Sequence, residues 1–559
     1  MKRLWIVLLA MSLLVVGAAS AQDAATLPNG VASGDVTQTS AVLWTRSTAL
    51  GTVTFELAPD AAFSVLAGSA TAEVIDTAIP VKVLISDLMP GTEYFYRVTD
   101  AAGSVIMGRF VTPAELGTRA GLRFGVSGDW RGELAPYASI SNVAGRELDF
   151  FVLHGDTVYA DFPSPALNKR QAETLEEYRI KHDEGYSERY GQNFWADVRA
   201  STSVLATIDD HEVTNDFAGG AAPGSDDRFG ASDAAYVNDT PLYEMGLQVF
   251  QEYNPLVDEF YGETGDPRTA NERKLYRYRT WGSDAAVFVI DARSFRDQSL
   301  ESPSVTTIEA VNAYLAQTFD PARTMIGQQQ FDDLKADLLR AHEAGITWKF
   351  VMIPEPAQNL GPVNSDDRYE GYAAERTALL RFIVQNGIQN VVFVAADIHG
   401  TIINNMTYQE AAGGEHFPTG TFEITTGSVA FDAPFGPTII NLAAQLGLLA
   451  EEQAATFRNF PRPTKELLLG QFINAQIAPF GYDPIGLDES EIDAELLDGG
   501  YMATNTFGWT EFEIDAETQV LTVTTYGIDP YTRVELDADP VAIMARVPQM
   551  VSQFAVTPK

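Results

Sequence analysis

Six short apolar runs with almost no polar alternation constrain this chain more than any other feature. They are Arg123–Val126, Leu148–Leu153, Val204–Ile208, Ala285–Ile290, Trp348–Ile353 and Asn390–Ala395. Strands that read as continuous apolar runs are covered on both faces. Helical periodicity lies between some of them. Gly327 to Ala344 sets Phe331, Leu334, Leu338 and Leu339 on one face and is stopped by Gly345. Tyr372 to Gln385 sets Ala374, Leu379, Phe382 and Ile383 on one face and ends at Gly387. Strands alternating with helices require a covered sheet, so the expectation is an α/β (α+β layered) domain with mixed sheets.

Acidic and histidine clusters, most of them at the ends of these runs, carry the chemistry. They are Ser127-Gly128-Asp129-Trp130, Gly155-Asp156-Thr157-Val158-Tyr159, Asp209-Asp210-His211-Glu212, Pro354-Glu355-Pro356 and Asp397-Ile398-His399. In open α/β sheets, ligands bind at the carboxyl ends of strands. An Asp there is compact, anionic and suited to a hard cation. Tyr159 lies three residues past Asp156, and its phenolate suits Fe(III). Asp397 and His399 alternate, so they share a face if the strand continues. Three of the six histidines (His154, His211 and His399) fall in these clusters, which favours a site over scattered surface positions. For any one of these residues, a turn, a helix cap or a hydrogen-bonded core position is the plainer reading; the spaced set points to a metal centre. Two cations held there would clamp a phosphate and activate a water.

Composition narrows the partners. A formal net charge of −39 argues against nucleic acid as a stable partner, since no basic stripe exists to displace counterions. The same field repels anionic substrates, so a phosphate site needs local cations. With no cysteine, disulfides, thiolate ligands and cysteine nucleophiles are excluded. No Gly-x-Ser-x-Gly elbow appears, which counts against a serine hydrolase.

The N-terminus reads as a Sec-type signal peptide over residues 1–21. Lys2 and Arg3 precede the apolar Leu4–Val16, and Ala19-Ser20-Ala21 is a small-x-small cleavage site. The expected protein is periplasmic or secreted, with no membrane anchor after cleavage. Residues 27–113 alternate with period two, as in Ala41–Arg46 and Val53–Leu57, and predict a β-sandwich. Its Leu88-Met89-Pro90-Gly91-Thr92-Glu93-Tyr94 segment resembles a fibronectin type III-like module. Pro113–Gly121 reads as a linker to a catalytic domain over 119–559. Gly508–Ile514 and Gln519–Tyr526 form a hairpin candidate, and residues 432–500 give no clear pattern.

Taken in order, the clusters resemble the calcineurin-like metallophosphoesterase pattern, and within it the PhoD-like alkaline phosphatases. The matching segments are Asn29–Asp35, Val42–Arg46, Leu153–Tyr159, Asp209–Asn215, Ile290–Arg296 and Ala396–His399. Gly128-Asp129-Trp130 is also similar to the first motif of purple acid phosphatases. The resemblance implies a metallophosphoesterase sandwich and a dinuclear site. Asp156 would bridge two ions, Asp129, Tyr159 and His399 would complete one site, and Asp210 and Asp397 the other. His211 would protonate the leaving oxygen while a metal-activated hydroxide attacks. Fe3+ and/or Ca2+ is the family's suggestion, with Zn2+ or Mn2+ as alternatives. The sequence departs from the pattern in lacking the cysteine that often ligates the ferric ion, a place left to Asp129. It also lacks the superfamily's middle metal histidine, for which Glu355 is the candidate. Arg131, Arg293 and Arg296 lie beside motifs. Arg293 is the candidate fork for a non-bridging phosphate oxygen, with a structural ion pair as the alternative. The expected activity is hydrolysis of small phosphate monoesters. The competing readings are a phosphodiesterase or phospholipase D-type hydrolase of the same fold, and a non-catalytic calcium-stabilised binding protein.

Overall fold

The computed structural model describes residues 26–230, 232–301, 307–362 and 364–559. The expected signal peptide lies outside them. Two large sheets dominate. The first has eleven strands, of which β8 (Leu122–Trp130), β9 (Phe150–His154) and β10 (Ser203–Thr207) run parallel at its centre. The second has seven. Its parallel core is β12 (Ala285–Val289), β13 (Trp348–Met352), β14 (Val391–Ala395) and β16 (Phe417–Thr425), flanked by antiparallel β11 (Arg277–Trp281) and β15 (Thr401–Tyr408). The apolar runs all became strands within a few residues of their expected ends, and both sheets are mixed as expected.

Period-two side-chain alternation sorts each strand between two cores. Phe124, Phe150 and Val152 face Phe350, Met352 and Val394 of the other sheet. Phe124 stacks on Phe150 at 4.6 Å and meets Phe350 edge-on at 4.9 Å. Phe151, Leu153 and Val204 face outward onto helices 175–186, 194–201 and 241–253. Phe288, Val351 and Phe393 face helices Gln328–Glu343 and Ala373–Gln385. The result is four layers, helix–sheet–sheet–helix. Each buried Phe or Val contributes about 1.5–3 kcal/mol. The helices end where Gly345 and Gly387 take left-handed φ of 71° and 62°.

The N-terminal region is all-β. A four-stranded sheet of β3 (Gly51–Ala58), β4 (Gly68–Val74), β6 (Glu93–Thr99) and β7 (Val105–Val111) packs on β1 (Val31–Gly34), β2 (Ala41–Thr45) and β5 (Val81–Ile85). Those last three strands are not a separate sheet. β1 pairs in parallel with β10, so half of the sandwich continues the eleven-stranded sheet. Gly34 permits this approach, since a Cβ there would sit 2.6 Å from the Val204 carbonyl oxygen and from Pro255.

Asp35, next to it, ties the module to the second sheet. Its carboxylate accepts from Arg277 Nε at 3.0 Å, Arg279 at 2.7 Å and the Val257 N–H at 2.9 Å. Burial alone would raise its pKa, but the two guanidiniums and the backbone donor outweigh burial and hold it below the usual range. With the folded value below the unfolded one, the clamp stabilises at neutral pH, and its contribution disappears as pH falls through the folded value. Asp35→Asn should therefore cost about 3–5 kcal/mol at pH 7 and less at pH 3. Urea unfolding of both proteins at the two pH values checks this; an equal cost at both would contradict it.

Candidate metal centre

The carboxyl ends of β8, β9 and β10 meet those of β12, β13 and β14 along one edge. Asp129 lies near the end of β8, Asp156 just past β9, and Asp209 to Glu212 past β10. On the second sheet, Asp291 to Arg296 follow β12, Glu355 follows β13, and Asp397 and His399 follow β14. The sheets close tightly here. A Cβ on Gly128 would lie 2.7 Å from the Ala396 Cβ and 2.9 Å from the His154 carbonyl oxygen. Asp129, Asp156, Asp397 and His399 all adopt left-handed backbone, with φ of 60°, 50°, 63° and 59°. Asp tolerates that conformation better than most residues, and His399 carries the larger strain. Such backbone concentrated at the strand ends of one edge makes this edge the candidate site.

Four groups of potential ligands result. Asp129, Asp156 and His399 offer atoms within 4.8 Å of one another, as do Asp156, Asp210 and His211. Asp156 belongs to both. The other two groups are Asp209, Glu355 and Asp397, and Asp210, Asp216 and Asp367. Tyr159 donates its hydroxyl to Asp156 Oδ2 at 2.8 Å, and the His211 N–H donates to Asp156 Oδ1 at 3.2 Å. His399 Nε2 lies 3.6 Å from Asp129 Oδ1.

The donor set fits cations. Both oxygens of Asp129 are buried without a hydrogen-bond partner, as are Asp209 Oδ2 and Glu355 Oε2. A buried carboxylate left this way is strongly disfavoured. Burial, then crowding by neighbouring acids, raises the pKa of Asp129, Asp156 and Asp397 well above the carboxylate range. Burial pushes His399 down to about 3, leaving a neutral imidazole of the kind that ligates metals.

His211 is different. Its Nδ1 pairs with Asp161 Oδ1 at 2.7 Å, and its Nε2 faces Asp210 Oδ1 at 3.9 Å. Burial opposes its charge, but Asp210 and the Asp161 hydrogen bond prevail and push it up to about 9. Asp161 is a positioning residue that sequence reading missed, five places past Asp156 with no apolar run to flag it. Asp161→Asn should lower the His211 pKa, which an NMR titration of the ring would read. An unchanged titration would show that Asp161 does not hold the charge on His211.

Arg293 departs from expectation. It is fully buried, and its donors are taken by Asp209 at 2.7 Å, by Asp367 through both Nη atoms at 2.8 Å, and by Glu355. Arg296 pairs with Glu355 at 2.8 Å and Asp367 at 2.5 Å. Neither has a fork free for phosphate; together they neutralise the acids behind the edge. Glu355 spends Oε1 on both arginines and groups with Asp209 and Asp397, not with the residues that share Asp156. Asp397 likewise groups with Asp209 rather than Asp210. His154 is a strut, its Nε2 bonding the Val394 carbonyl across the sheets at 2.9 Å while burial pushes it down to about 4. Glu212 is a brace that accepts the N–H groups of Thr157 at 2.6 Å and Asp209 at 2.9 Å. Asp216 and Asp367 were not anticipated. Asp216 follows the Asp209–Asn215 segment directly, whereas Asp367 sits late in the long loop after β13, far from the strand end.

A layered fold with this edge of acids and histidines defines a metallophosphoesterase architecture. The chain belongs to the PhoD-like phosphatase family: the family model matches residues 126–460, and the model of its N-terminal domain matches residues 14–114. Among curated proteins, alkaline phosphatase D of Bacillus subtilis (strain 168) is 25% identical over 411 residues, covering 67% of this chain. The match spans 65% of that relative, just under two thirds of its length. A solved structure of PhoD overlays with a TM-score of 0.69 at 18% identity, covering 95% of this chain and 90% of that one; at this identity the likeness shows fold alone.

Proposed function

We propose that this protein is an exported, metal-dependent hydrolase of phosphate esters, with small monoesters as substrates and an alkaline working range. The carrying observation is that Asp156 is common to two close groups, one with Asp129 and His399 and the other with Asp210, beside the proton donor His211. Membership of the PhoD-like family and the likeness to a protein named alkaline phosphatase D support the same reading. Asp129, Asp156, Tyr159 and His399 would hold one ion and Asp156 and Asp210 the second, with Asp397, Asp216 and Asp367 alongside. Bound there, two cations would supply Lewis acidity toward phosphoryl oxygens and acidify a water. With oxygen and imidazole donors only, hard or borderline ions suit the set, Fe3+ at the tyrosine side and Ca2+, Zn2+ or Mn2+ beside it.

The chain's own residues do the rest. Asp161 fixes His211 through Nδ1, so Nε2 points toward the acids and can hand a proton to the leaving oxygen. Tyr159 and the His211 N–H fix the two oxygens of Asp156. Arg293 and Arg296 keep the outer carboxylates in place. The division into a fibronectin type III-like module over 27–113 and a catalytic domain from 119 belongs to the same proposal, as does export. Among the described residues, no helix is long and apolar enough to cross a membrane.

The test is hydrolysis of a chromogenic phosphomonoester beside its diester analogue, before and after chelation, with iron, zinc, manganese and calcium added back separately. Expected is chelator-sensitive turnover that favours the monoester. Turnover indifferent to chelation, or none with any ion, would contradict the proposal, and diester preference would reassign the substrate.

A further inference from the structure

Beside the acids, a series of flat side chains leads from the site to solvent. The Phe431 ring stacks on His399 with centroids 3.6 Å apart. Tyr159 lies 4.2 Å from His211 and 5.5 Å from Phe431. The Arg131 guanidinium sits 3.7 Å from the Phe162 ring centre and 5.5 Å from those of Tyr159 and Phe431. Arg131 is 2% exposed and is held by Glu133 and by Asp432 at 3.2 Å. Phe162 is 38% exposed.

A single exposed aromatic needs no explanation, but this one is held in place. One ring face rests on a buried cation, which is attracted to the π system. Its carbonyl accepts the Lys181 ammonium, and its N–H donates to the Tyr159 carbonyl at 3.4 Å. The exposed part of the ring therefore points away from Arg131. Phe431, half-buried, sits across the guanidinium and directly on His399. A rigid apolar strip thus borders the candidate centre on the Tyr159 and His399 side. In an acidic chain, it is the part of the rim suited to an uncharged flat group.

We propose that Phe162 and Phe431 form a subsite for the ester's organic group, selecting substrates in which a flat ring lies next to the phosphate. The preference rests on the phosphoesterase reading above. Its chemistry is a planar π system, whether an aryl group or a heterocyclic base. A ring stacked on Phe162 in offset or edge-on geometry should be favoured about three- to tenfold over an open chain of equal carbon number. Phe162 ligates nothing, so its replacement should leave metal content unchanged.

The test uses the full chain loaded with its activating ions. Affinities for phenylphosphonate and n-hexylphosphonate are measured by calorimetry for the native protein, Phe162→Ala, Phe162→Leu and Phe162→Tyr. The native protein should prefer the phenyl compound by about three- to tenfold. That ratio should fall to within about twofold in the Ala and Leu variants and persist in the Tyr variant. A native ratio near one, or a ratio that survives Phe162→Ala, overturns the subsite. Hydrolysis of phenyl phosphate and glycerol phosphate separates the two claims. Turnover of both without ring preference in binding leaves the phosphoesterase standing and removes the subsite. Ring preference without turnover of either keeps the subsite and removes the catalytic reading.

Discussion

Asp156→Asn will lose activity by a factor on the order of 10³ or more and will at the same time make the metal-free protein more stable. Asp156 is common to the two ligand groups that include a histidine, and its oxygens are fixed by Tyr159 and the His211 N–H. An amide keeps the shape but loses the charge and one acceptor oxygen, so both groups lose a ligand together. The stability change has the opposite sign because burial, then Asp210 and Asp209, already disfavour a charge there. Removing it therefore stabilises the metal-free protein. Urea unfolding after exhaustive chelation, with turnover of the loaded protein measured in parallel, checks both halves. A variant as active as the native protein, or one less stable when metal-free, would contradict this account.

Arg293→Met should destabilise the fold by about 3–5 kcal/mol, because Asp209, Glu355 and Asp367 would lose a shared buried cation. Arg293→Lys should recover little of it. An ammonium is a point charge and cannot reproduce a planar fork that meets Asp367 through both Nη atoms while Nε meets Asp209. If Arg293 instead served phosphate, Arg293→Met would raise KM and leave the urea midpoint near its native value. That split decides between counter-ion and substrate clamp.

The sequence made the parallel strands and most of the edge legible because two signals coincide there. Runs buried on both faces lose their polar alternation, and hard ligands follow them directly. Asp129, Asp156, Asp210, Asp397 and His399 all carry both signals. Asp367 carries neither, since it reaches the site from a loop and is held there by Arg293 and Arg296. The arginines themselves were ambiguous: a guanidinium beside a motif looks the same in sequence whether it faces phosphate or carboxylate, and burial decides. The pairing of β1 with β10 was also hidden, because the pattern of β1 records that it is buried and not which strand lies beside it. Residues 432–500 contain the helices Phe435–Gln445, Glu451–Arg458 and Arg462–Ile477, which share a small core of Ile440, Phe457, Leu469 and Ile473. Several leucines there remain exposed, among them Leu446, Leu448 and Leu467, which blurs the apolar stripe that would have marked the helices.

The most direct measurement is the number of tightly bound ions per chain, by elemental analysis after dialysis, in the native protein and in the His399→Ala, Asp210→Asn and Asp156→Asn variants. Two ions in the native protein, one in each of the first two variants and none in the third would match an acid shared between two sites. Two ions retained by Asp156→Asn, or a native protein that holds none, would contradict it.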